Sequence, residues 1–192
     1  QSTITNLSKI LDTTSVGNEV GGIGGGVGNT VKIHSVGYNP FSFYVYKQLY
    51  DANGKPLEGL FADINGDGTL DLQDKYRYKS PEPKLFLGFS SQFSYKKWSM
   101  AFTMRAQFGN YMYNNFHSNN GTYANFRYTG YLGNVAENVL VTNFEGSDSR
   151  RYWSDYYVEN ASFLKMDNFN IGYHVGRFAK VLDLRLSATV QN

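Results

Sequence analysis

The stretch Trp98-Ser99-Met100-Ala101-Phe102-Thr103-Met104-Arg105-Ala106-Gln107-Phe108 decides how the rest of the chain is read. Met100, Phe102, Met104, Ala106 and Phe108 fall on one side of an extended chain, and Ser99, Ala101, Thr103, Arg105 and Gln107 on the other. Side chains of a strand point alternately to its two faces, so a period of two means a strand; a helix would need a period near 3.6. An apolar face backed by arginine and glutamine is what a strand between lipid and a wet lumen shows.

The same alternation recurs on both sides of this stretch. Upstream, Leu85, Leu87 and Phe89 alternate with Phe86, Gly88 and Ser90, and the pattern continues through Phe93 and Tyr95. Downstream, Phe169, Ile171, Tyr173 and Val175 oppose Asn168, Asn170, Gly172 and His174, and Leu184, Leu186, Ala188 and Val190 oppose Asp183, Arg185, Ser187, Thr189 and Gln191. Phe41, Phe43 and Val45 likewise alternate with Ser42, Tyr44 and Tyr46. A soluble antiparallel sheet with one solvated face would alternate in the same way. Three features favour a membrane. The segments run to about ten residues, the length of a tilted membrane strand and longer than most globular strands. Aromatics gather near the strand ends, as Tyr44, Tyr46 and Tyr50, Tyr95 and Trp98, Phe108, Tyr111 and Tyr113, and Tyr173 and Phe178, where interfacial girdles lie. Connections alternate between short, Tyr95-Lys96-Lys97-Trp98, and long, Gly109 to Ala161, as in outer-membrane barrels. The expected fold is all-β, an antiparallel transmembrane β-barrel segment. On this reading Arg105, Gln107, Asn168, Asn170, Arg185 and Gln191 line the lumen and the residues between them meet outer-membrane lipid.

Composition agrees. The 192 residues hold 16 Tyr, 14 Phe and 2 Trp, too many aromatics for a disordered chain. Lys plus Arg (18) nearly cancels Asp plus Glu (16), which argues against a nucleic-acid binder working through a basic face. No run approaches the roughly 18 consecutive apolar residues of a membrane helix, and Gln1 to Ile10 has neither the basic nor the apolar region of a signal peptide. With no cysteine there is no disulfide framework and no thiolate metal site. The glycine-rich run from Gly17 to Gly28 reads as a flexible loop; no Gly-Lys-Ser/Thr follows to make it a phosphate cradle. Residues 1–36 are therefore expected to be a glycine-rich loop and strand-end region, and 37–192 a partial barrel.

One segment carries metal chemistry in its spacing. In Asp63-Ile64-Asn65-Gly66-Asp67-Gly68-Thr69-Leu70-Asp71-Leu72-Gln73-Asp74, oxygen-bearing side chains stand at positions 1, 3, 5, 9 and 12 of a twelve-residue loop. Gly68 occupies position 6, where the sharp turn falls, and Thr69 offers a carbonyl at position 7. Calcium takes such a ring of oxygens, so Asp63, Asn65, Asp67, Thr69, Asp71 and Asp74 are the candidate Ca2+ ligands. Asp74 replaces the usual bidentate glutamate, and the competing reading is a run of tight turns whose Asp and Asn side chains bond their own backbone. Other constellations are weaker. His34, His117 and His174 are far apart in sequence, and no Gly-x-Ser-x-Gly elbow occurs. The pairs Glu145 with Asp148 and Asp155 with Glu159 read as solvated loop charge, and nothing points to an enzyme. Arg150, Arg151, Tyr152, Trp153, Tyr156 and Tyr157 are candidate contacts for a sugar or partner protein, or else pack within their loop.

Several ordered motifs resemble a known family. They are Phe43-Tyr44-Val45-Tyr46, the Asp63-to-Asp74 loop, Ser80-Pro81-Glu82-Pro83-Lys84 leading to Gly88, and Ser94-Tyr95-Lys96-Lys97-Trp98. Gly109-Asn110-Tyr111-Met112-Tyr113-Asn114-Asn115 and the run from Ala161 to Tyr173 complete the set. In this order they are similar to the C-terminal part of the barrel of SusC/RagA-type TonB-dependent outer-membrane transporters of Bacteroidota. The resemblance covers about residues 37 to 192 and implies import of a large nutrient, an oligosaccharide or peptide, across the outer membrane. It implies a SusD-like surface lipoprotein as partner and the TonB complex as energy source, acting through parts outside this chain. It also implies that the chain is a fragment, without the family's plug, TonB box and closing strands. The alternatives are a secreted, calcium-stabilised β-sandwich that binds glycans, and a surface β-enzyme acting on polysaccharide.

Overall fold

In a computed structural model that describes residues 17–23, 29–127, 130–178 and 181–192, the chain is mainly antiparallel strand. The strands are β1 (Asn18–Gly22), β2 (Thr30–His34), β3 (Ser42–Tyr46), β4 (Gln48–Tyr50), β5 (Pro56–Phe61), β6 (Lys75–Arg77), β7 (Leu85–Tyr95), β8 (Trp98–Phe108) and β9 (Tyr111–Tyr113). Three short helices follow, α1 (Asn115–Asn120), α2 (Ala124–Arg127) and α3 (Val139–Thr142), then β10 (Val158–Asn160), β11 (Phe163–Phe178) and β12 (Leu182–Gln191). Among the described residues no helix is long and apolar enough to cross a membrane, which says nothing against crossing with strands.

The chain divides into two units, Gln1–Glu82 with Tyr111–Asn160, and Pro83–Asn110 with Ala161–Asn192. This is not the division expected at residue 36. The reason is hydrogen bonding: β2 pairs with β3 across that boundary, and Asn18–Gly22 of the glycine-rich run is a strand paired with β2, not a loop. Residues 24–28 of that run, the expected loop's centre, lie outside the described residues, as does the Phe178 side chain.

The second unit is the sheet that the alternation predicts, with spatial order β12-β11-β8-β7 and every pairing antiparallel. β7 and β8 are eleven residues each, joined by the two-residue turn Lys96-Lys97, in which Lys96 takes a left-handed φ of 53°. In register, Phe89 faces Met104, Phe93 faces Met100, Phe102 faces Phe169, and Phe169 faces Val190. One face of the sheet thus carries leucine, phenylalanine, methionine and valine from all four strands. That face is bare: Phe89 is 58% exposed, Leu164 66% and Val190 63%. Monomeric soluble proteins rarely expose apolar patches of this extent, because each buried large side chain would add about 1.5–3 kcal/mol. Such a face calls for a covering partner, either hydrocarbon or another protein surface.

The first unit has a closed apolar core, although Met112, Phe116 and Leu140 on its surface stay exposed. Its four-stranded sheet runs β1-β2-β3-β6, accompanied by the hairpin β4-β5 and the two-stranded pairing β10-β9. Ile23, Val31, Phe43, Val45 and Val158 form the core, with Tyr76, Tyr111, Tyr113, Tyr152 and Trp153 packed around it. β3 differs from expectation. All five of its residues are buried, so Tyr44 and Tyr46 belong to a covered strand and not to an interfacial girdle. The Lys75 ammonium lies 5.6 Å from the Tyr44 ring centre, and Tyr46 packs on Phe61. The expected long loop Gly109 to Ala161 is likewise structured, with short helices and the β9–β10 pairing.

Candidate functional site

Three places answer to the residues that the sequence singles out, and the largest is the polar face of the second unit's sheet. Register sets its membership. Arg105 pairs with Lys165, Gln107 with Phe163, Asn168 with Thr103 and Gln191, Asn170 with Ala101 and Thr189, and Arg185 with His174. All six lumen candidates therefore share one side of the sheet. This holds only because β11 carries an irregularity between Met166 and Asn168, which leaves Asp167 without a partner in the ladder. Without the extra residue, Asn168 and Asn170 would sit on the apolar face. Asp167 has a further use, accepting from Arg105 Nε at 3.0 Å. Other bonds link neighbouring strands: Asn170 Nδ2 donates to Thr189 Oγ1 at 2.7 Å, Ser90 and Thr103 hydroxyls lie 3.2 Å apart, and His174 pairs with Asp183. Such a face can present donors and acceptors to water and polar solutes while fixing the register.

The second place is the Asp63–Asp74 loop. Asp63 accepts from the Gly66 and Gly68 N–H groups at 2.6 and 2.8 Å, Asn65 from Asp67 N–H at 2.9 Å, and Asp67 from Thr69 N–H at 2.8 Å. Gly66 and Gly68 have φ of 76° and 81°, values at which a Cβ would be strained, so the glycines are needed for the turns. Asp74, fully buried, closes the loop by accepting from Ile64 and Asn65 on one oxygen and from Asp71 on the other. The Asp71 N–H above all, with those of Ile64 and Asn65, holds the Asp74 carboxyl below its ordinary pKa despite burial. Asp71 in turn caps the following turn by accepting from Gln73 N–H at 2.7 Å. Among the described residues no three acidic or histidine side chains converge as a metal-binding group. The chemistry of the donors still suits a hard cation, since carboxylate oxygens that accept one N–H keep a second lone pair.

The third place is the aromatic segment after Asp148. Arg151 is 8% exposed and Tyr157 fully buried, so these two serve internal packing and are not surface contacts. Arg151 donates to the Asp148 carbonyl and to the Tyr152 hydroxyl, and its guanidinium stacks 4.3 Å from the Tyr152 ring centre. Burial and the Tyr113 hydroxyl beside it push the Tyr157 phenol up. Trp153 is half-buried and donates to the Thr30 carbonyl at 2.8 Å. Arg150 makes a two-pronged pair with Asp148, which holds that carboxyl low against the pull of burial. Asp155 is not solvated loop charge either. It accepts from Gln48 N–H and from the Tyr76 hydroxyl at 2.6 Å, and burial lifts its pKa. Tyr152 and Tyr156 remain half-exposed. Glu58 escaped the sequence reading: its carboxylate accepts from the N–H groups of Glu145, Gly146 and Ser147 at 2.7, 2.6 and 2.9 Å, tying β5 to a segment nearly ninety residues away. Three successive backbone N–H groups make an anion nest, but sequence gives no sign of which carboxylate will fill it.

The chain is similar to known proteins. It is 40% identical over 178 residues to the TonB-dependent receptor SusC of Bacteroides thetaiotaomicron, a match that takes in 86% of this chain and 17% of that protein. The chain thus spans about a sixth of the length of this curated relative. Among solved structures, the RagAB peptide transporter is similar at a TM-score of 0.56 and 24% identity, covering 86% of this chain and 21% of that one. The RagAB peptide importer in its open-open state gives the same TM-score at 20% identity, covering 86% of this chain and 20% of that one, a likeness of fold. These relatives are transporters, not enzymes. No protein-family profile matches the chain.

Proposed function

Because the chain belongs to the SusC/RagA family of TonB-dependent outer-membrane transporters, we propose that the full-length protein imports a large nutrient, an oligosaccharide or a peptide, across the outer membrane. A SusD-like surface lipoprotein would serve as its partner and the TonB complex as its energy source. One observation supports the reading above others: a four-stranded antiparallel sheet exposes phenylalanine and leucine on one face and gathers Arg105, Gln107, Asn168, Asn170, Arg185 and Gln191 on the other. In this reading the apolar face meets lipid, the polar face lines the lumen, and the chain crosses the outer membrane several times. The Lys96-Lys97 turn faces the periplasm and residues 109–161 face outward, on the rule that periplasmic turns are short. A cation in the Asp63–Asp74 loop belongs to the proposal as a staple of that loop, supported by the oxygen spacing alone.

The test is growth of a strain deleted for the full-length gene on a panel of oligosaccharides and peptides. Loss of growth on one nutrient, restored by the gene but not in a strain without TonB, is the expected result. Equal growth on every nutrient overturns the import reading. The orientation has its own check: on intact cells, a membrane-impermeant thiol reagent should reach Ser147→Cys and not Lys97→Cys, and the reverse pattern sinks it. For the loop, calcium should slow hydrogen exchange at Gly66, Gly68 and Thr69, and identical exchange with calcium and with chelator removes the staple.

A further inference from the structure

On the polar face of the second unit's sheet, at the end that carries the Lys96-Lys97 turn, lies a cavity of about 560 Å3. Lys96, Lys97, Ser99, His174, Asp183 and Arg185 are among the residues that border it. We propose that this cavity binds a carboxylate, gripped by the guanidinium of Arg185.

The guanidinium is held in place before any ligand arrives. Arg185 stands on β12, yet its Nη2 donates at 2.9 Å to Ser99 Oγ on β8, so the side chain lies across the intervening strand β11. The residue it crosses is Gly172, whose backbone pairs with Ser99 on one side and Ser187 on the other. A Cβ at Gly172 would stand 3.1 and 3.3 Å from Nη2 and Nε of Arg185 and 2.8 Å from Ser99 Oγ. Glycine here is a seat: an added Cβ would displace the Ser99 hydroxyl and push the guanidinium away by a few tenths of an ångström. Gly172 has an ordinary strand backbone, so close approach, not unusual φ, is what requires it.

The seated guanidinium has donors to spare. Among the described residues Arg185 forms no ion pair, since the nearby carboxylate of Asp183 is taken by His174. Lys97 folds over the end of β11, its Nζ donating to the Val175 carbonyl at 3.0 Å, which leaves two of its N–H groups. Lys96, Lys97 and Arg185 outnumber Asp183 around the cavity, so the site attracts an anion. A planar fork suits a planar carboxylate, and Asp183 on the rim opposes a doubly charged phosphate more than a singly charged carboxylate. Preorganisation lowers the cost of binding because a long side chain is already immobilised. The site rests on the sheet's own register and stands whether or not the import reading does. The carboxylate has two possible sources, a solute in the water beside the sheet or an acidic side chain elsewhere in the full-length protein.

Acetate, followed by saturation-transfer NMR on the detergent-solubilised full-length protein, is the probe. The solute source predicts acetate binding that Arg185→Gln weakens about tenfold or more and Gly172→Ala weakens several-fold, with Leu186→Ala, on the opposite face of the same strand as Arg185, as an unaffected control. The internal source predicts no acetate binding to the parent protein, with acetate sites appearing once acidic side chains outside this chain are neutralised and disappearing again on adding Arg185→Gln. Acetate binding that ignores both Arg185→Gln and Gly172→Ala overturns the proposal. So does stronger binding of inorganic phosphate than of acetate, or the absence of acetate binding under every condition.

Discussion

β3 and β8 have the same sequence period and opposite surroundings. Ser42-Phe43-Tyr44-Val45-Tyr46 alternates as cleanly as Trp98 to Phe108, yet all five β3 residues are buried, while β8 leaves Trp98 53% and Phe108 41% exposed on its apolar side. Period two states that a segment is a strand and which residues share a face. What covers each face is decided elsewhere. For β3 it is β2 and β6 in the sheet, Lys75 over Tyr44, and Phe61 against Tyr46. For β8 the neighbours β7 and β11 repeat its pattern, so the apolar faces add up to one surface that nothing among the described residues covers and that, in the proposed reading, meets lipid.

The comparison can be broken at several points. The largest effect should come from Phe43→Ala in the full-length protein, where removing a fully buried ring costs about 3–5 kcal/mol. Native-state hydrogen exchange at Val31 and Val45 measures it. Phe89→Ala, on the exposed face, should leave those amides unchanged, and equal effects would erase the distinction between the units. Next, Met104→Arg should destabilise the refolded protein in bilayers by about 2–4 kcal/mol, while Thr103→Arg, one residue away on the polar face, changes little. Denaturant titration in vesicles reads the difference, and equal costs would mean that both faces of β8 meet the same solvent.

A smaller, local effect is expected at Asp74. Its folded-state pKa is lowered by N–H donors, so the stability it contributes is present above the ordinary aspartate value and lost as pH falls through the folded value. Exchange at the Ile64, Asn65 and Asp71 amides should therefore gain protection between acid and neutral pH beyond the intrinsic rate change. Asp74→Asn should remove that pH dependence and leave exchange in β8 as it was. The smallest effect belongs to Arg105→Ala, which deletes the partly exposed pair with Asp167 and should cost about 0–1 kcal/mol in the same vesicle titration.

How much was legible in the sequence follows from where the determining contacts lie. β7 pairs with β8 and β11 with β12, neighbours in sequence, and each strand repeats its own alternation, so their faces could be read residue by residue even though β8 and β11 meet from distant parts of the chain. The irregularity in β11 left a trace in the spacing: Leu164 and Met166 are two apart, whereas Met166 and Phe169 are three apart. The first unit was less legible because its fold rests on distant contacts with no periodic signal. Glu58 reaches residues 145–147, Ser154 donates to Gln48, and Trp153 reaches Thr30. A run such as Arg150 to Tyr157 looks the same in sequence whether its rings face a partner or a core, and here Arg151 and Tyr157 face the core.

The central claim, that β8 separates lipid from water, is tested most directly by nitroxide labels placed singly from Met100 to Gln107 in the full-length protein reconstituted in vesicles. Oxygen, which concentrates in hydrocarbon, and a water-soluble nickel chelate should give collision rates that alternate in opposite phase, oxygen highest at positions 100, 102, 104 and 106 and nickel highest at 101, 103, 105 and 107. Collision rates low for both reagents at 102 and 104, as in a dry protein core, would contradict it.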